Sequence, residues 1–493
     1  MSANNLSSHP DSVSRIFQVA LDRAVAFRES LPSRPPRPDI SPSELNRLFD
    51  GPMPEHGEDG AAVIERLAQA ADPGLMASAG QRFFGWVIGA SHPVGVAADW
   101  LTSAWGQNAG NFSASPAAAM AEQVAGRWLL ETLDLPRGSS VGFVTGATMA
   151  NFACLAAARS AQYTQYDWDV EANGISGGPP LHVFAGDEAH ATVFSALRYL
   201  GLGHERAVRV PTDDQGRMDP HALESQMAFV KGPKIVIAQA GQINTGAFDP
   251  FAHIAATARA HGAWLHIDGA FGLWARACPE TRWLADGIEL ADSWATDGHK
   301  WLQLPYDCGF AIVRDASAHR RAMGIEASYL PQAGSIEHDP SQYAPELSRR
   351  ARGFAAWAML RALGRAGVAE MVRHHCALAQ HLAARLNGIE GVEILNDVEL
   401  NQIIVGFGAG QPRETQNSLA RETIEEMQRR NVCFLGGGQW KGRWVMRVSI
   451  ISGPLQLEDI DRLATEIISV WLRVQSRNRA FSGSGANLKE VVA

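Results

Sequence analysis

A lysine and an aspartate stand close behind two apolar segments in the middle of the chain. Asp268 closes the segment AWLHID, and Lys300 follows ADSWAT in a turn with Gly298 and His299. A lysine at the end of a strand can lose its proton through desolvation and attack an aldehyde carbon. Asp268 ends its strand where open α/β sheets bind ligands. Each residue alone is better explained by a helix cap or a surface turn, but their place at the ends of adjacent predicted strands favours a shared site.

A second segment could bind a phosphate. SVGFVTGATMANFACLAAAR has the pattern of a strand, a glycine turn and a helix, and Thr145, Gly146, Ala147 and Thr148 stand at the predicted helix start. Free backbone N–H groups, the helix dipole and the Thr148 hydroxyl together make a seat for a phosphate there. An ordinary capped turn is an equally good interpretation of this segment by itself.

A histidine follows a third predicted strand. His190 comes after LHVFA and opens the next helix, where a flat imidazole can stack on an aromatic ring. A lone histidine is more often structural than functional. A phosphate seat, a stacking ring, a carboxylate and a nucleophilic lysine are nevertheless the set that a pyridoxal-phosphate site requires. The sequence therefore predicts pyridoxal phosphate as the cofactor and no metal.

The elements that must position these residues are short apolar strands alternating with alanine-rich helices. From about Phe83 this alternation predicts an α/β fold with a mainly parallel sheet and helices on both faces. Near Trp357 it gives way to one long helix, and then to strands around VEIL, NQIIVGF, VCFL and WVMRVSI, which predict a small C-terminal α+β domain. We expect an N-terminal arm and helical segment at 1–82, a large cofactor-binding domain at 83–365, the small domain at 366–475 and a flexible tail at 476–493.

Composition limits the class of protein. The chain has 493 residues, 46% of them hydrophobic, and a formal net charge of -9 without clustered lysine or arginine, so we expect no nucleic-acid partner. No signal core or membrane-length apolar run is present in the sequence, so we expect no membrane association. Five widely spaced cysteines without a CxxC pair suggest neither a disulfide framework nor a zinc site, and a cytoplasmic location is predicted.

The motifs resemble those of the group II pyridoxal-phosphate amino-acid decarboxylases, the family of aromatic-amino-acid and glutamate decarboxylases. The resemblance runs from about Phe83 to Arg365, and more loosely through the C-terminal domain. It is carried by HxDxA at His266, Asp268 and Ala270, by HKW at His299, Lys300 and Trp301, and by AH ending at His190. It implies the aspartate aminotransferase-like type I fold of pyridoxal-phosphate enzymes.

The resemblance also implies a role for each residue. Asp268 would contact the pyridine nitrogen, Ala270 would lie beneath the ring and His190 on its open face. His299 would contact the phosphate, and Lys300 would form the Schiff base. Other reactions at the same cofactor, namely transamination, retro-aldol cleavage and oxidative deamination to an aldehyde, would use the same residues. An inactive protein that binds partners is the remaining alternative.

Two positions depart from the family pattern. Ile243 stands where the family often has a threonine that touches the ring oxygen, and Asn244 is the substitute that we predict. Pro340 stands where the family's mobile loop carries a proton-donating tyrosine. Tyr343 and Tyr329 are close to it in sequence, and Tyr343, His190 and Lys300 are the candidate proton donors.

The expected reaction is the decarboxylation of an L-amino acid whose side chain the sequence does not define. An apolar pocket could come from Phe83, Phe84, Trp86 and Phe112, whereas an acidic substrate would require an arginine such as Arg447 or Arg352. An amphipathic helix at 15–30, followed by a proline-rich connector, has little local core to cover it. We therefore expect a homodimer in which this arm packs on the partner and the active sites lie at the interface.

Overall fold

The structure is a computed structural model that describes residues 10–325 and 339–487. Seven strands form its large sheet, in the order β1, β7, β6, β5, β4, β2, β3. Strand β7 is antiparallel to both of its neighbours, and the remaining pairs are parallel. The strands are β1 (Ser140–Val144), β2 (His182–Gly186), β3 (Val208–Val210), β4 (Lys234–Gln239), β5 (Trp264–Asp268), β6 (Ser293–Asp297) and β7 (Gly309–Val313). Strands β1, β2, β5 and β6 coincide with the predicted segments SVGFV, LHVFA, AWLHID and ADSWAT, and the mainly parallel sheet is confirmed.

The sheet is buried on both faces. Alternate residues of β4 divide between two hydrophobic cores, with Val236 in one and Ile235 and Ile237 in the other. This explains the continuous apolar character of β4, β5, β6 and β7, because both sides of these strands are covered, whereas the edge strand β3 exposes Arg209. The helices are α1 (Pro10–Ser30), α2 (Pro42–Phe49), α3 (Gly60–Ala71), α4 (Pro93–Trp105), α5 (Pro116–Thr132), α6 (Ala147–Thr164), α7 (Val170–Asn173), α8 (Ala191–Tyr199), α9 (Pro220–Met227), α10 (Phe251–Ala260), α11 (Ala316–Met323), α12 (Gly353–Leu386), α13 (Arg413–Arg430) and α14 (Leu457–Asn487).

A second, antiparallel sheet has the order β10, β11, β9, β8. Its strands are β8 (Val392–Ile394), β9 (Gln402–Phe407), β10 (Gly436–Trp440) and β11 (Arg443–Ser449). The strand predicted at VCFL is wrong. Phe434 instead forms a single bridge to Phe83, donating its N–H to the carbonyl of Arg82 and accepting from the N–H of Phe84. The segment is apolar because it joins the arm to the small core, and β10 begins only after it.

Helices α12 and α14 differ from the sequence prediction, the first by a break in its backbone and the second by its length. The long predicted helix is α12, and its backbone leaves helical geometry at Gly364, where φ is 61°. The first part of α12 packs on α4 and α5, while its last turns join the core of the small sheet through Leu378, Leu382 and Leu386. Helix α14 continues to Asn487, so the segment predicted as a flexible tail from residue 476 begins as helix. Within the described part of the chain, the helices are all too short or too polar to cross a lipid bilayer.

Candidate active site

The turn after β6 carries the candidate nucleophile. Lys300 is largely buried, and its Nζ lies 2.9 Å from Oδ2 of Asp297, the last residue of β6. The main chain of Asp297 is fixed on both sides, because its N–H donates to the carbonyl of Ala270 and its own carbonyl accepts from the indole of Trp274. Lys300 is thus held by a carboxylate that the sheet itself positions.

Asp268, the last residue of the neighbouring strand β5, has a buried side chain with one unpaired carboxylate oxygen among the described residues. Its side chain is 3% exposed, and Oδ1 accepts the N–H of Ala270 over 3.2 Å. Oδ2 is buried and has no hydrogen-bond partner among the described residues. Burial raises the pKa of Asp268 above its usual value, against the opposing charges of His190 and Lys300. A buried carboxylate oxygen without a partner is costly unless a proton donor binds to it.

Strand β5 also explains the first histidine of the HxDxA pattern. His266 lies two residues before Asp268 and is fully buried, with Nδ1 2.9 Å from the Ser293 hydroxyl and Nε2 2.8 Å from Oδ1 of Asn151 in α6. Burial lowers the pKa of His266 to about 3, so the ring is neutral. His266 connects β5 to β6 and α6, which bring Asp268, Lys300 and the phosphate segment together.

The predicted phosphate segment forms the start of α6. Gly146 precedes the helix, and the N–H of Ala147 donates to Oδ1 of Asp297 over 2.5 Å. A Cβ on Gly309 would lie 2.5 Å from the Cα of Gly146, so only glycine lets β7 pass this closely. Thr148 is half-buried in the same first turn. The helix start therefore lies directly against the lysine turn.

His190 caps α8. Its Nδ1 accepts the N–H of Thr192 over 3.3 Å and lies 2.7 Å from the Thr192 hydroxyl, which leaves the ring proton on Nε2. Burial lowers the pKa of His190, while Asp268 and Lys300 act on it in opposite directions. His190 is therefore a neutral ring within electrostatic reach of both residues.

His299 packs among the residues of its own turn. Its Nδ1 accepts the N–H of Cys308 over 3.3 Å, its Nε2 lies 3.4 Å from Oδ1 of Asp297, and its ring lies 4.4 Å from the ring of Tyr306. Burial lowers the pKa of His299. The segment before α4 covers the same turn, because a Cβ on Gly89 would lie 2.3 Å from the carbonyl oxygen of Lys300.

Two predicted residues have other neighbours. Tyr343 lies against His319, with ring centroids 5.4 Å apart, and its carbonyl oxygen lies beside Gly142 in the middle of β1. The structure thus brings Tyr343 to α11 rather than to Lys300. Asn244 lies in the turn after β4, where its N–H donates to Oε1 of Gln242 and its Oδ1 faces Gly438 of β10. Tyr329 lies outside the described residues.

Of the four aromatic residues proposed for a pocket, Phe83 and Trp86 lie together, whereas Phe84 and Phe112 lie elsewhere. Phe83 stacks on Phe434 at 4.9 Å, and Trp86 lies 5.4 Å from the same ring while remaining 53% exposed. Phe84 belongs to the core of the small sheet. Phe112 lies in another loop, where its N–H donates to Asp339. Phe434 was missed from the sequence because its apolar segment was interpreted as a strand.

Arg352 and Arg447, the two arginines proposed for an acidic substrate, have different partners. Arg352 pairs with Asp307, with Nε 2.9 Å from Oδ1. Arg447 donates from Nη2 to the carbonyl of Ile243, and its buried Nε has no partner among the described residues. Burial lowers the pKa of Arg447, and its charge acts on His190. Only Arg447 of this pair borders the predicted site without an acidic partner in the described part of the chain.

The residues present fit pyridoxal phosphate. Asp268 Oδ2 has no proton donor among the described residues, which a pyridine nitrogen would supply, and the start of α6 could bind the phosphate. Lys300 contacts Asp297, which accepts from the first N–H of α6, and acts electrostatically on Asp268. Asp297, which contacts both Lys300 and the start of α6, is a site residue that the sequence analysis missed. The one signal for it in the sequence was a polar residue at the end of an apolar strand, three positions before Lys300.

The fold and these residues define a pyridoxal-phosphate enzyme. A crystal structure of Oryza sativa TDC with pyridoxal phosphate and tryptamine superimposes with a TM-score of 0.89 at 24% identity, covering 95% of this chain and 99% of that one. The predicted type I fold is confirmed. The chain belongs to the family described as the pyridoxal-dependent decarboxylase conserved domain, whose model matches residues 42–407.

Two amino-acid decarboxylases and an aldehyde synthase are similar to this chain over most of its length. An aromatic-L-amino-acid decarboxylase of Bacillus atrophaeus is 26% identical, covering 94% of this chain and 96% of the relative. An acidic amino acid decarboxylase of Xenopus tropicalis is 30% identical, covering 73% and 70%. A 4-hydroxyphenylacetaldehyde synthase of Rhodiola rosea is 25% identical, covering 90% and 92%. The chain is a pyridoxal-phosphate-dependent amino-acid decarboxylase, and the relatives differ in their named substrates.

Proposed function

We propose that the chain releases carbon dioxide from an L-amino acid at a site in which Lys300 forms the Schiff base and Asp268 binds the pyridine nitrogen. The observation that carries this proposal is the buried Oδ2 of Asp268, which has no partner among the described residues. A carboxylate in that situation is stabilised by a cationic N–H donor. Lys300 and His190, both within electrostatic reach, complete the arrangement.

Pyridoxal phosphate supplies an electron-withdrawing ring that accepts the electron pair left by the departing carboxyl group. In this chain, Asp268 would hold the proton on the ring nitrogen, and the first turn of α6 with His299 would bind the phosphate. His190, neutral and anchored by Thr192, would stack on the ring and present its Nε2–H towards the substrate side. Ala270 and Asn244 complete the proposed set of cofactor contacts.

The proton that replaces the carboxyl group has three candidate donors in this proposal. Lys300 is held in place by Asp297, whose Oδ2 lies 2.9 Å from its Nζ. His190 carries its ring proton on Nε2. Tyr343 would require a different arrangement from its present contact with His319. The geometry favours Lys300 or His190.

We further propose that Arg447 binds a carboxylate of the substrate. Its guanidinium is mostly buried, its Nε has no partner within residues 10–325 and 339–487, and its charge acts on His190, so an anion bound there would face the proposed ring position. A bidentate carboxylate is the ligand that a fixed guanidinium binds best. Phe83, Trp86 and Phe434 pack together beside the segment that covers the lysine turn, and Trp86, the exposed member, would contact an apolar side chain.

Aldehyde formation is a second candidate. It is supported by the similarity to the Rhodiola rosea synthase and by the place of Tyr343 beside His319, away from the lysine turn. Without an efficient proton donor, the decarboxylated substrate can instead be oxidised by dissolved O₂, which is reduced to hydrogen peroxide. The two candidates give different products from one substrate: an amine, or an aldehyde with ammonia and hydrogen peroxide.

The function is tested by incubating the protein with each proteinogenic L-amino acid and measuring carbon dioxide, amine and aldehyde. We expect carbon dioxide from a small set of substrates, with a matching amount of amine. Lys300→Ala is the control and should abolish release. Aldehyde in place of amine would select the second candidate, and keto acid without carbon dioxide would overturn both.

We also propose a cytoplasmic homodimer with the domain boundaries predicted above. The break of α12 at Gly364 supports a boundary near residue 365, and the five cysteines are all buried and unpaired, as a reducing compartment favours. Helix α1 packs on α3 but leaves apolar side chains exposed, and a groove of about 420 Å³ between α4, α5 and α12 is almost entirely apolar. A second copy of the chain would cover both surfaces.

A further inference from the structure

The proposed phosphate seat contains a buried carboxylate of the protein. Asp297 is 2% exposed, and its Oδ1 accepts the N–H of Ala147, the first residue of α6, over 2.5 Å. Its Oδ2 lies 2.9 Å from Nζ of Lys300. The backbone donor that a phosphate would use at this helix start is therefore shared with a fixed negative charge. The inference below rests on the proposed function of Lys300 and α6.

Few positive charges lie near Asp297 to offset the repulsion between its carboxylate and a bound phosphate. From its own turn it is faced by Lys300 and by His299, whose pKa burial lowers. Tyr306 and Cys308, which precede β7, and His190 of α8 also interact with it, and none of the three is cationic at neutral pH. Asp268 of β5 adds a second carboxylate. Lys300 is thus the one cation that the described residues place against Asp297.

A phosphate monoester has a second pKa of about 6, so it carries close to two charges at neutral pH. A dianion beside a buried carboxylate is strongly repelled, because the interior screens charge poorly. A single proton between the two groups replaces that repulsion by a short, charge-assisted hydrogen bond. Lys300 cannot neutralise both anions, particularly when its nitrogen is bonded to the cofactor.

We propose that Asp297 makes this seat selective for the phosphate monoanion, with one proton shared between the Asp297 carboxylate and the cofactor's phosphate. Binding of pyridoxal phosphate then takes up one proton. The affinity therefore falls as the pH rises above about 6, because the proton concentration falls. Asp297 is a positioning residue in this scheme. It fixes Lys300 against α6 and sets the charge that the seat accepts.

The direct test is ³¹P NMR of the wild-type holoenzyme, titrated between about pH 6 and about pH 8.5, the range in which a free phosphate monoester becomes the dianion. We expect the bound signal to stay near the monoanion position, or to move to the dianion position only well above pH 6. A dianion signal that does not change across this range would overturn the proposal. This measurement needs no variant and does not depend on turnover.

Asp297→Asn provides the second arm, because the amide keeps the shape and can accept from Ala147 without a charge. At high pH the variant should bind pyridoxal phosphate about tenfold more tightly than wild type. Binding of pyridoxal, which lacks the phosphate, should be nearly unchanged. Weaker binding of both compounds by the variant would show a purely structural role and reject the proposal.

The failure of this inference can be distinguished from failure of the proposed function. Borohydride reduction of the same holoenzyme reports whether Lys300 carries the cofactor. A labelled Lys300 together with a pH-independent dianion signal rejects only the shared proton. A label on a different lysine rejects the site assignment, and with it the reason for expecting the phosphate near Asp297.

Discussion

The indole N–H of Trp301 donates a hydrogen bond to Nδ1 of His375 over 3.0 Å. The Nε2 of His375 lies 3.1 Å from the carbonyl oxygen of Ser452, so the ring is neutral and carries its proton on Nε2. Burial lowers the pKa of His375 to about 4. An uncharged imidazole in α12 thus joins the residue after Lys300 to the segment that follows β11.

Acid should destabilise the protein in a defined range. Burial lowers the pKa of His266 and His319 to about 3 and of His375 to about 4, against about 6.5 in the unfolded chain. Below pH 6.5 the unfolded chain binds protons that the folded chain does not, so each histidine costs up to about 1.4 kcal/mol per pH unit. Asp249, whose pKa burial raises to about 6, opposes this because its folded form keeps a proton.

The measurement is the free energy of unfolding by urea at several pH values between about 6.5 and about 4. We expect it to fall as the pH is lowered. His375→Gln can still accept from Trp301 and donate to Ser452 without titrating, so its stability should fall less steeply. An unchanged slope in this variant would remove His375 from the explanation.

The Schiff-base lysine should be identifiable directly. Lys300 contacts Asp297 beside the start of α6 and acts electrostatically on Asp268, so borohydride reduction of the purified protein should leave a pyridoxyl group on it. Peptide mapping locates the label. Lys231, in the exposed loop before β4, is a suitable negative control. A label elsewhere would refute the assignment.

Asp268→Ala should lose nearly all turnover. Without the carboxylate, the ring nitrogen has no partner that keeps it protonated, and electrostatic or acid-base contributions of this kind are typically worth about 10²–10⁴-fold. The readout is carbon dioxide release at saturating cofactor, with the exposed Asp286→Ala as the matched control. Activity within about threefold of wild type would mean that Asp268 is only structural.

Gly309→Ala should weaken cofactor binding. Its Cβ would lie 2.5 Å from the Cα of Gly146, and backbone on both sides leaves little freedom to move apart. The displaced start of α6 should lower the affinity for pyridoxal phosphate more than that for pyridoxal. Gly138→Ala, where a Cβ meets nothing within 4 Å, is the control, and equal effects of the two substitutions would contradict the prediction.

Removal of residues 1–45 should impair assembly. Phe17, Leu21 and Val25 are exposed on α1, and deletion would also uncover the surface beneath the arm. Light scattering should report a full-length dimer and, for the deletion, monomer or aggregate with lower solubility. A monomeric full-length protein with complete activity at micromolar concentration would contradict both the dimer and the shared active site.

Much of the fold was predictable because its signals are local. The strands of the large sheet are buried on both faces, so each reads as a short apolar run between turn residues. Asp268, His190 and Lys300 could be found for the same reason, since each follows such a run. The edge at which they meet is then a consequence of parallel pairing.

The remainder depends on contacts between distant parts of the chain. Asp297 becomes informative only when Ala147, 150 residues earlier, is known to donate to it. Phe434 packs on Phe83, and the apolar character that this requires was mistaken for a strand. Tyr343 is near Pro340 in sequence, yet its ring lies against His319, which sequence proximity does not reveal.

The position of β1 at the edge of the large sheet affects the order in which the sheet can form during synthesis. The neighbour of β1 is β7, and their register pairs Ser140 with Val313, so the start of α6 gains its supporting strand only after the intervening strands have been synthesised. Such distant pairing is slow, because the loop must close before the contact forms. If the start of α6 binds the phosphate as proposed, the nascent chain would complete this part of the cofactor site only after β7 has been synthesised.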